Sequence, residues 1–118
     1  MIYLLSIMLG LSSLPTNVAK RQLLIFSVSK TQDAYLQQLN ILKSDPVGLD
    51  ERDITIRIIG EEDLQRSHFN VKSNEFCIIL IGKDGSEKYR SEVPISLNQL
   101  YGLIDAMPMR KQEMKTRK

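Results

Sequence analysis

Residues 76–90 of the chain read FCIILIGKDGSEKYR. Residues 76–82 carry almost no polar side chain and are rich in isoleucine, which is typical of a strand buried on both faces. The sequence Lys83-Asp84-Gly85 predicts a tight turn, because Asp and Gly tolerate the positive φ that a hairpin requires. Residues 86–90 are mostly polar and predict an exposed edge strand whose charges oppose aggregation. The segment therefore predicts a hairpin of one buried and one exposed strand.

Two further strands are predicted upstream of this hairpin. Residues 22–28, QLLIFSV, are almost continuously apolar and indicate a second strand buried on both faces. Residues 53–59, DITIRII, alternate, with three isoleucines on one side, and indicate a half-exposed strand. Between these strands, the sequence Ser44-Asp45-Pro46 and the following Gly48 predict a loop.

Apolar residues at helical spacing predict one helix after the first strand and another after the hairpin. Their predicted inner faces comprise Tyr35, Leu36, Leu39 and Leu42 in the first helix, and Leu97, Leu100, Tyr101, Ile104 and Met107 in the last. The first helix has Ser29 or Thr31 as a candidate cap, the last has Ser96 with Gln99, and Pro108 is expected to end it. A short helix is predicted after residues 61–63, with Leu64, His68 and Phe69 on its inner side.

The predicted order of elements is β-α-β-α-β-β-α. The two apolar strands should lie in the centre of the sheet and the two half-polar strands at its edges. Strands joined through a helix are parallel, and strands joined by a hairpin are antiparallel. These rules give a four-stranded mixed sheet in the order 2-1-3-4 with helices on both faces, which is the α/β arrangement of the thioredoxin fold. Leu36, Leu39, Leu100 and Ile104 are expected to be buried against this sheet.

The length of 118 residues indicates a single domain, predicted to cover residues 20–109. Five of the 16 basic residues lie in residues 110–118, beside one acidic residue, which leaves 11 basic and 13 acidic residues in 1–109. We interpret 110–118 as a basic, solvated C-terminal tail. A chain without a basic face or interleaved aromatic residues is not expected to bind nucleic acid.

Residues 2–11, IYLLSIMLGL, form an apolar run that is shorter than the roughly 18–20 residues of a membrane helix. Its length suits the core of a signal peptide, so residues 1–19 are interpreted as one, with cleavage as late as Ala19. The alternative is an additional N-terminal strand or helix packed on the domain. We therefore expect a periplasmic or secreted protein without an integral membrane span, or a cytoplasmic one if 1–19 is not cleaved.

Three stretches of the sequence resemble the family called domain of unknown function 4174. Residues 81–114 match best, through a GKDG turn, a strand containing an arginine and the ending MPMRKQEM. Residues 49–56, LDERDITI, and 20–28, KRQLLIFSV, extend the resemblance. The resemblance implies a peroxiredoxin-like member of the thioredoxin superfamily, related to the P-DUDES domain of extracellular vertebrate proteins, and usually a signal peptide in bacterial members. It implies no established activity.

Cys77 is the only cysteine, which excludes an intrachain disulfide and a CxxC redox pair. Thioredoxins and peroxiredoxins place their reactive cysteine after the first strand, but residues 27–33 contain none. Ser27, Ser29 and Thr31 have no histidine or other base nearby in sequence, so capping is the expected role of these hydroxyls. Cys77 falls near the position of the thioredoxin cis-proline. Its apolar neighbours favour an inert, buried thiol over a reactive one.

Neither a metal site nor a cofactor is expected. His68 is the only histidine, and the acidic residues lack the spacing of a calcium loop. No glycine-rich loop suited to phosphate is present.

The remaining candidate binding residues are polar positions within the stretches that resemble the family. They are Arg52, Asp53, Lys83, Arg90 and Arg110, while Asp84 is expected to shape the turn. The leading hypothesis is an exported, non-catalytic domain that binds a protein partner or a small ligand. One alternative is a degenerate thiol enzyme that uses Cys77, and another is a structural or stress-related envelope protein.

Overall fold

The computed structural model describes residues 20–28 and 33–116 and places a four-stranded sheet, in the order β2-β1-β3-β4, at the centre of the molecule. The strands are β1 (Arg21–Phe26), β2 (Ile54–Ile59), β3 (Cys77–Ile81) and β4 (Glu87–Ser91). The helices are α1 (Asp33–Lys43), α2 (Pro46–Glu51), α3 (Gln65–His68), α4 (Leu97–Asp105) and α5 (Pro108–Thr116). The predicted sheet order is confirmed, with β2 and β4 at the edges.

The pairing of the strands defines two ends of the sheet. β1 runs parallel to β2 and antiparallel to β3, and β4 completes the hairpin. Arg21 lies opposite Ile54 where β1 and β2 begin and β3 ends, and we call this the Arg21 end. Phe26 lies opposite Cys77 where β1 ends and β3 begins, and we call this the Phe26 end. In thioredoxins the reactive cysteines follow the first strand, so the Phe26 end corresponds to their active site.

Both faces of the sheet are covered. Leu23, Ile25, Ile78 and Leu80 pack on one face against buried residues of α1, α2 and α4. The opposite face of the sheet packs against Phe69 and Val71, which follow α3. The sheet residues on this face are Leu24, Phe26, Ile59, Cys77, Ile79 and Ile81. Alternate residues of β1 and β3 therefore serve different sides, as expected for strands buried on both faces. Among the described helices, none combines the length and apolar character needed to cross a bilayer.

The inner face of α1 differs from the prediction. Leu100 and Ile104 are fully buried as expected and Leu39 is half-buried, but Leu36 is 43% exposed. Gln38 is buried instead, because its side-chain amide donates to the Ile95 carbonyl at 3.1 Å and accepts from the Ile95 N–H at 2.8 Å. This pair of hydrogen bonds satisfies the backbone of the segment before α4 and sets the rotation of α1 about its axis.

Two other elements also depart from the prediction. Gly48 lies inside α2, not in a loop, since Asp45 caps this helix by accepting a 3.1 Å hydrogen bond from the Gly48 N–H. In α3 the buried side chain is Arg66, while Leu64 is 86% exposed and His68 is exposed. The prediction placed apolar residues on the inner side of α3, but the structure places a guanidinium there.

The edge strand β2 and the ends of α4 agree better with the prediction. In β2, Ile54 and Ile56 face the core as predicted, but Ile58 is 46% exposed and Ile59 is buried in its place on the other face. Ser96 caps α4 by accepting from the Gln99 N–H at 3.1 Å. Pro108 separates α4 from α5. The candidate caps Ser29 and Thr31 and the predicted signal peptide lie outside the described residues.

Candidate functional site

Four of the five candidate binding residues meet at the Arg21 end of the sheet. Arg52 and Asp53 lie between α2 and β2, Lys83 follows β3, and Arg110 belongs to α5. They join further charged residues in what we call the charge cluster. Its members are Arg21, Glu51, Arg52, Asp53, Lys83, Asp105, Arg110 and Glu113. The cluster links α2, α4, α5, β1 and the hairpin turn.

Glu113 is the carboxylate with the most partners in this cluster. Its two oxygens accept from the Nη1 and Nη2 atoms of Arg21, each at 3.2 Å. Lys83 Nζ donates to Glu113 Oε2 at 2.6 Å, and Arg110 Nη1 lies 3.7 Å from Oε1. Burial alone would raise the pKa of Glu113, but the hydrogen bonds from Lys83 and Arg21 outweigh burial and bring that pKa below its ordinary value.

A second carboxylate, that of Asp105, joins two arginines. Arg52 binds it in a bidentate manner at 3.1 and 3.0 Å, and Arg110 Nε donates to it at 3.1 Å. Burial would raise the pKa of Asp105, yet these two arginines hold it below its ordinary value. The Arg52 guanidinium also lies 3.8 Å from the ring centroid of Tyr101. Burial, together with a hydrogen bond to Asp45, raises the pKa of Tyr101 to about 12.

Asp53 turns the chain into β2 and binds Lys83. Its φ is 54°, a left-handed conformation in which Asp is several-fold enriched among non-glycine residues. Its backbone carbonyl accepts from the Arg21 N–H at 2.9 Å, and its Oδ2 accepts from Lys83 Nζ at 2.8 Å. Asp84 shapes the hairpin turn as predicted, since its Oδ1 accepts from the Ser86 N–H and hydroxyl.

The interpretation of residues 110–118 as a solvated tail is wrong for the part that the structure describes. Residues 110–116 belong to α5, and Arg110 is only 1% exposed. Arg110 is buried because it donates to Asp105 and to the Glu51 carbonyl, with Glu51 Oε2 at 3.5 Å. Lys111 and Lys115, on the other side of α5, are exposed. The helix is therefore attached to the domain mainly through charged groups.

At the Phe26 end, a buried arginine lies where thioredoxins carry their reactive cysteines. Arg66 donates to the carbonyls of Ser27 at 2.7 Å, Gly60 at 2.8 Å and Glu75 at 3.1 Å, and also to the carbonyl of Lys72. These carbonyls lie directly after β1, after β2 and before β3. One guanidinium thus fixes the three loops around this end of the sheet through four of its five N–H donors.

Cys77 lies beside these loops and is 3% exposed. It packs in the apolar cluster of the second face, opposite Phe26 in the register. Burial raises the pKa of the Cys77 thiol above its ordinary value, although the positive charge of Arg90 acts in the opposite direction.

Arg90, the fifth candidate, does not join the charge cluster. It lies on β4, where it binds Glu87 through two hydrogen bonds at 3.0 and 2.9 Å and donates to the Phe69 carbonyl at 2.7 Å. Arg90 therefore lies apart from Arg110, which belongs to α5 at the Arg21 end. Within residues 20–28 and 33–116, no group of three metal-ligating side chains is found.

Five residues of the two ends were not among the candidates, namely Arg21, Glu51, Asp105 and Glu113 of the charge cluster and Arg66 at the Phe26 end. Arg21 stands at the start of an apolar stretch, and Arg66 lies in the mostly polar segment 61–70; their side chains are 1% and 4% exposed. Glu113 lies in the segment interpreted as a tail. A charged residue beside a buried strand is a signal that can indicate such positions, because an arginine is almost never fully buried unless it is paired. For Glu113, the signal is its place as the one acid among five basic residues.

The charge cluster predicts acid sensitivity. Glu113 and Asp105 have folded pKa values below their ordinary values of 4.5 and 3.8. Their stabilising contribution is therefore complete above those ordinary values and is lost as the pH falls through the folded pKa values. We expect Glu113→Gln to lower the free energy of unfolding at neutral pH by about 3 kcal/mol, the scale for breaking a buried ion pair. The variant should also show a shallower acid dependence.

Urea denaturation followed by circular dichroism at several pH values checks this prediction. Glu62→Gln is the matched control, because Glu62 is exposed and this substitution changes the net charge by the same amount. Equal effects of the two substitutions would contradict the assigned role of Glu113.

Comparison with solved structures supports the fold. The chain superposes on a Plasmodium vivax 2-Cys peroxiredoxin in its reduced form with a TM-score of 0.63 and 13% identity, covering 80% of this chain and 81% of the other. It also superposes on chloroplastic thioredoxin z with a TM-score of 0.58, 15% identity and coverage of 82% and 80%. A thioredoxin-2 of the malaria parasite gives 0.56, 22% identity and coverage of 75% and 84%. At these identities the likeness concerns the fold alone.

Sequence comparison identifies relatives and a family. Fifty residues are 40% identical to coiled-coil domain-containing protein 80 of Danio rerio, covering 42% of this chain and 6% of that protein. The chain thus spans only a small fraction of that relative's length. The model of the domain of unknown function DUF4174 matches residues 16–113. The resemblance found in the sequence is thereby confirmed, and the chain belongs to the DUF4174 family with a thioredoxin-like fold.

Proposed function

We propose that this chain is a non-catalytic thioredoxin-like domain that is exported and binds a protein partner or a small ligand. The observation that carries the proposal is the state of Cys77. The only thiol of the chain is buried, its pKa is raised by burial, and it packs among apolar side chains. A thiol enzyme needs an accessible thiolate, and usually a second thiol that resolves the oxidised product.

The surroundings of Cys77 also favour a structural role. Arg66 donates to carbonyls on both sides of the place where thioredoxins carry their reactive cysteines, those of Ser27 and Glu75. A guanidinium in this position supplies donors to the backbone and no base to a thiol. The Cys77 thiol donates to the carbonyl of Ile78 at 3.7 Å, a contact that only the protonated thiol can make.

The second candidate function is that of a degenerate thiol enzyme. One observation favours it: Arg90 exerts an attractive charge on a Cys77 thiolate, as a cationic neighbour does in reactive cysteines. Burial is the larger effect on the pKa of Cys77, and the net shift is upward, so the non-catalytic reading is the better supported of the two. The third hypothesis, a structural or stress-related envelope protein, predicts no ligand at all.

Assays of thiol chemistry separate the first two candidates. The native protein should react slowly with 5,5′-dithiobis(2-nitrobenzoic acid), react fully once unfolded, and consume no peroxide in the presence of an external thiol reductant. Cys77→Ala should cost about 1 kcal/mol of stability, the usual scale for one substitution, and leave binding properties unchanged.

Val71→Ala is the matched control, because Val71 is 6% exposed and packs in the same apolar cluster as Cys77. Peroxide turnover that is retained in Val71→Ala and disappears in Cys77→Ala would overturn the non-catalytic proposal. Such a result would place Cys77 at the centre of a redox site.

Export is the second part of the proposal. The apolar run at 2–11 has the length of a signal-peptide core, and it lies before the family match, which begins at residue 16. A polar stretch rich in small residues, SSLPTNVA at 12–19, follows this run. These features support a segment that directs the chain to the periplasm or the exterior.

Mature protein isolated from its native cell should begin between about Ser13 and Lys20, because the signal peptide is removed at its small-residue site. Intact-mass measurement of protein from the envelope and cytosolic fractions checks this expectation. Protein that retains Met1 and is confined to the cytosol would contradict export, while leaving the thiol argument untouched.

A further inference from the structure

A pocket of about 220 Å³ lies at the Arg21 end of the sheet, where the hairpin turn faces the start of α5. One wall is apolar and is formed by Met107, Pro108 and Met109. The other lining residues are Arg21, Gly82, Lys83 and Lys88, with one carboxylate, that of Asp84. The pocket is smaller than the roughly 300–1,000 Å³ of sites for drug-sized ligands. The lining surface is mostly apolar, and with the size of the pocket this suits a compact molecule that has an apolar body and one polar group.

The hydrogen-bonding capacity that remains in this pocket consists of donors. Of the three donors of Lys88 Nζ, the described residues accept one, at Asp84 and 3.0 Å. Lys83 Nζ uses two of its three, with Asp53 and Glu113. Asp84, by contrast, accepts from both the N–H and the hydroxyl of Ser86 as well as from Lys88. A ligand that brings acceptors therefore complements the pocket better than one that brings donors.

Arg21 adds a buried donor beside the pocket. Its side chain is 1% exposed and lines the pocket, and its Nε is a buried donor with no hydrogen-bond partner among the described residues. Buried side-chain donors without an acceptor are rare in folded proteins. The terminal nitrogens of Arg21 donate to Glu113 and to the Arg52 carbonyl, so Nε is the nitrogen of this guanidinium that lacks an acceptor among the described residues.

The charges around the pocket disfavour a ligand with several negative charges. The cations Arg21, Lys83 and Lys88 are in contact with the carboxylates of Glu113, Asp53 and Asp84. Three positive charges thus face three negative ones, so each negative charge on a ligand adds an excess, and a doubly charged phosphate adds a larger excess than a single carboxylate. The first N–H groups of α5, a helix of nine residues, point towards its N-terminal side and favour an anion there.

We propose that this pocket binds a small monocarboxylic acid, with the carboxylate held by Lys88 and Lys83 and the apolar body placed against Met107, Pro108 and Met109. Methionine side chains are flexible and make favourable contacts with aromatic rings, so an aromatic body fits this wall. The inference rests on the proposed non-catalytic binding role and gives that role a ligand class.

Gly82 supplies a sharp test of the geometry. A methyl group at this position would lie 2.6 Å from Cε of Lys88, so the Lys88 side chain would be displaced. The φ of Gly82 is not in the left-handed region, so the backbone accepts alanine without strain. Gly82→Ala therefore alters the pocket while it leaves every charged residue present. Lys88→Met removes the charge and keeps the apolar stem. Lys43→Met, on the exposed end of α1, is the control for the same change in net charge.

The experiment is a titration of the isotope-labelled full chain with benzoate, followed by the backbone amide and methionine methyl resonances. Benzyl alcohol, which has the same ring and no charge, and inorganic phosphate are titrated in parallel. Benzoate should shift resonances of Gly82, Lys83, Lys88, Met107 and Met109 in a saturable manner. Lys88→Met and Gly82→Ala should weaken benzoate binding by about tenfold, the scale of one charge-assisted hydrogen bond, and Lys43→Met should leave it within about twofold.

Three results would overturn the proposal: no saturable benzoate shifts at these residues, equal weakening in Lys43→Met, or tighter binding of phosphate than of benzoate. Peroxide consumption is measured on the same samples. If benzoate does not bind and no peroxide is consumed, only the proposed ligand of the pocket is contradicted. If peroxide consumption depends on Cys77, the non-catalytic role itself is contradicted.

Discussion

The contact between the Glu113 carboxylate and the side chains of Arg21 and Lys83 is the interaction on which the rest of the structure depends. It joins the last helix to the first strand and to the turn of the hairpin that contains the central β3. Apart from Glu113, the side chain through which α5 packs on the domain is the buried Arg110. The helix therefore docks through charged groups and buries little apolar surface. A buried ion pair is stable only when all its partners are in place. Here each charged group at the centre of the cluster has at least two partners, which meets that condition.

The charge cluster also explains what the family-like motifs have in common. The ERD stretch supplies Arg52 and Asp53, the GKDG turn supplies Lys83, and the ending MPMRKQEM supplies Arg110 and Glu113. These motifs are distant in sequence but meet at the Arg21 end of the sheet, away from the position where thioredoxins carry out thiol chemistry. At the Phe26 end, the chain places a buried thiol and an arginine that binds backbone carbonyls. The polar residues of these motifs therefore fix α5 and the hairpin turn, which border the pocket.

The sequence was sufficient to predict the sheet, because the strands differ in their patterns of apolar residues. β1 and β3 are apolar on both faces, β2 alternates, and β4 is mostly polar. It was not sufficient for positions where a polar group is buried with a specific partner. Leu36 was expected inside α1, but the amide of Gln38 fits the Ile95 backbone and rotates the helix. Arg110 was placed in a solvated tail because composition gives no information on partners that lie 59 residues away, as Glu51 does. Four of the five candidate residues lie in the charge cluster. The sequence did not indicate that the fifth, Arg90, lies apart from them.

The central claim is that α5 is an integral part of the domain, held by the charge cluster. Native-state hydrogen exchange tests it most directly, because each amide reports the free energy of the opening that exposes it. The account predicts that the amides of Lys111, Gln112 and Glu113 exchange only through global unfolding, with the same free energy as the slowest amides of β1 and β3. Exchange of these α5 amides by a local opening, orders of magnitude faster than in the strands, would contradict the account and restore a loosely attached tail.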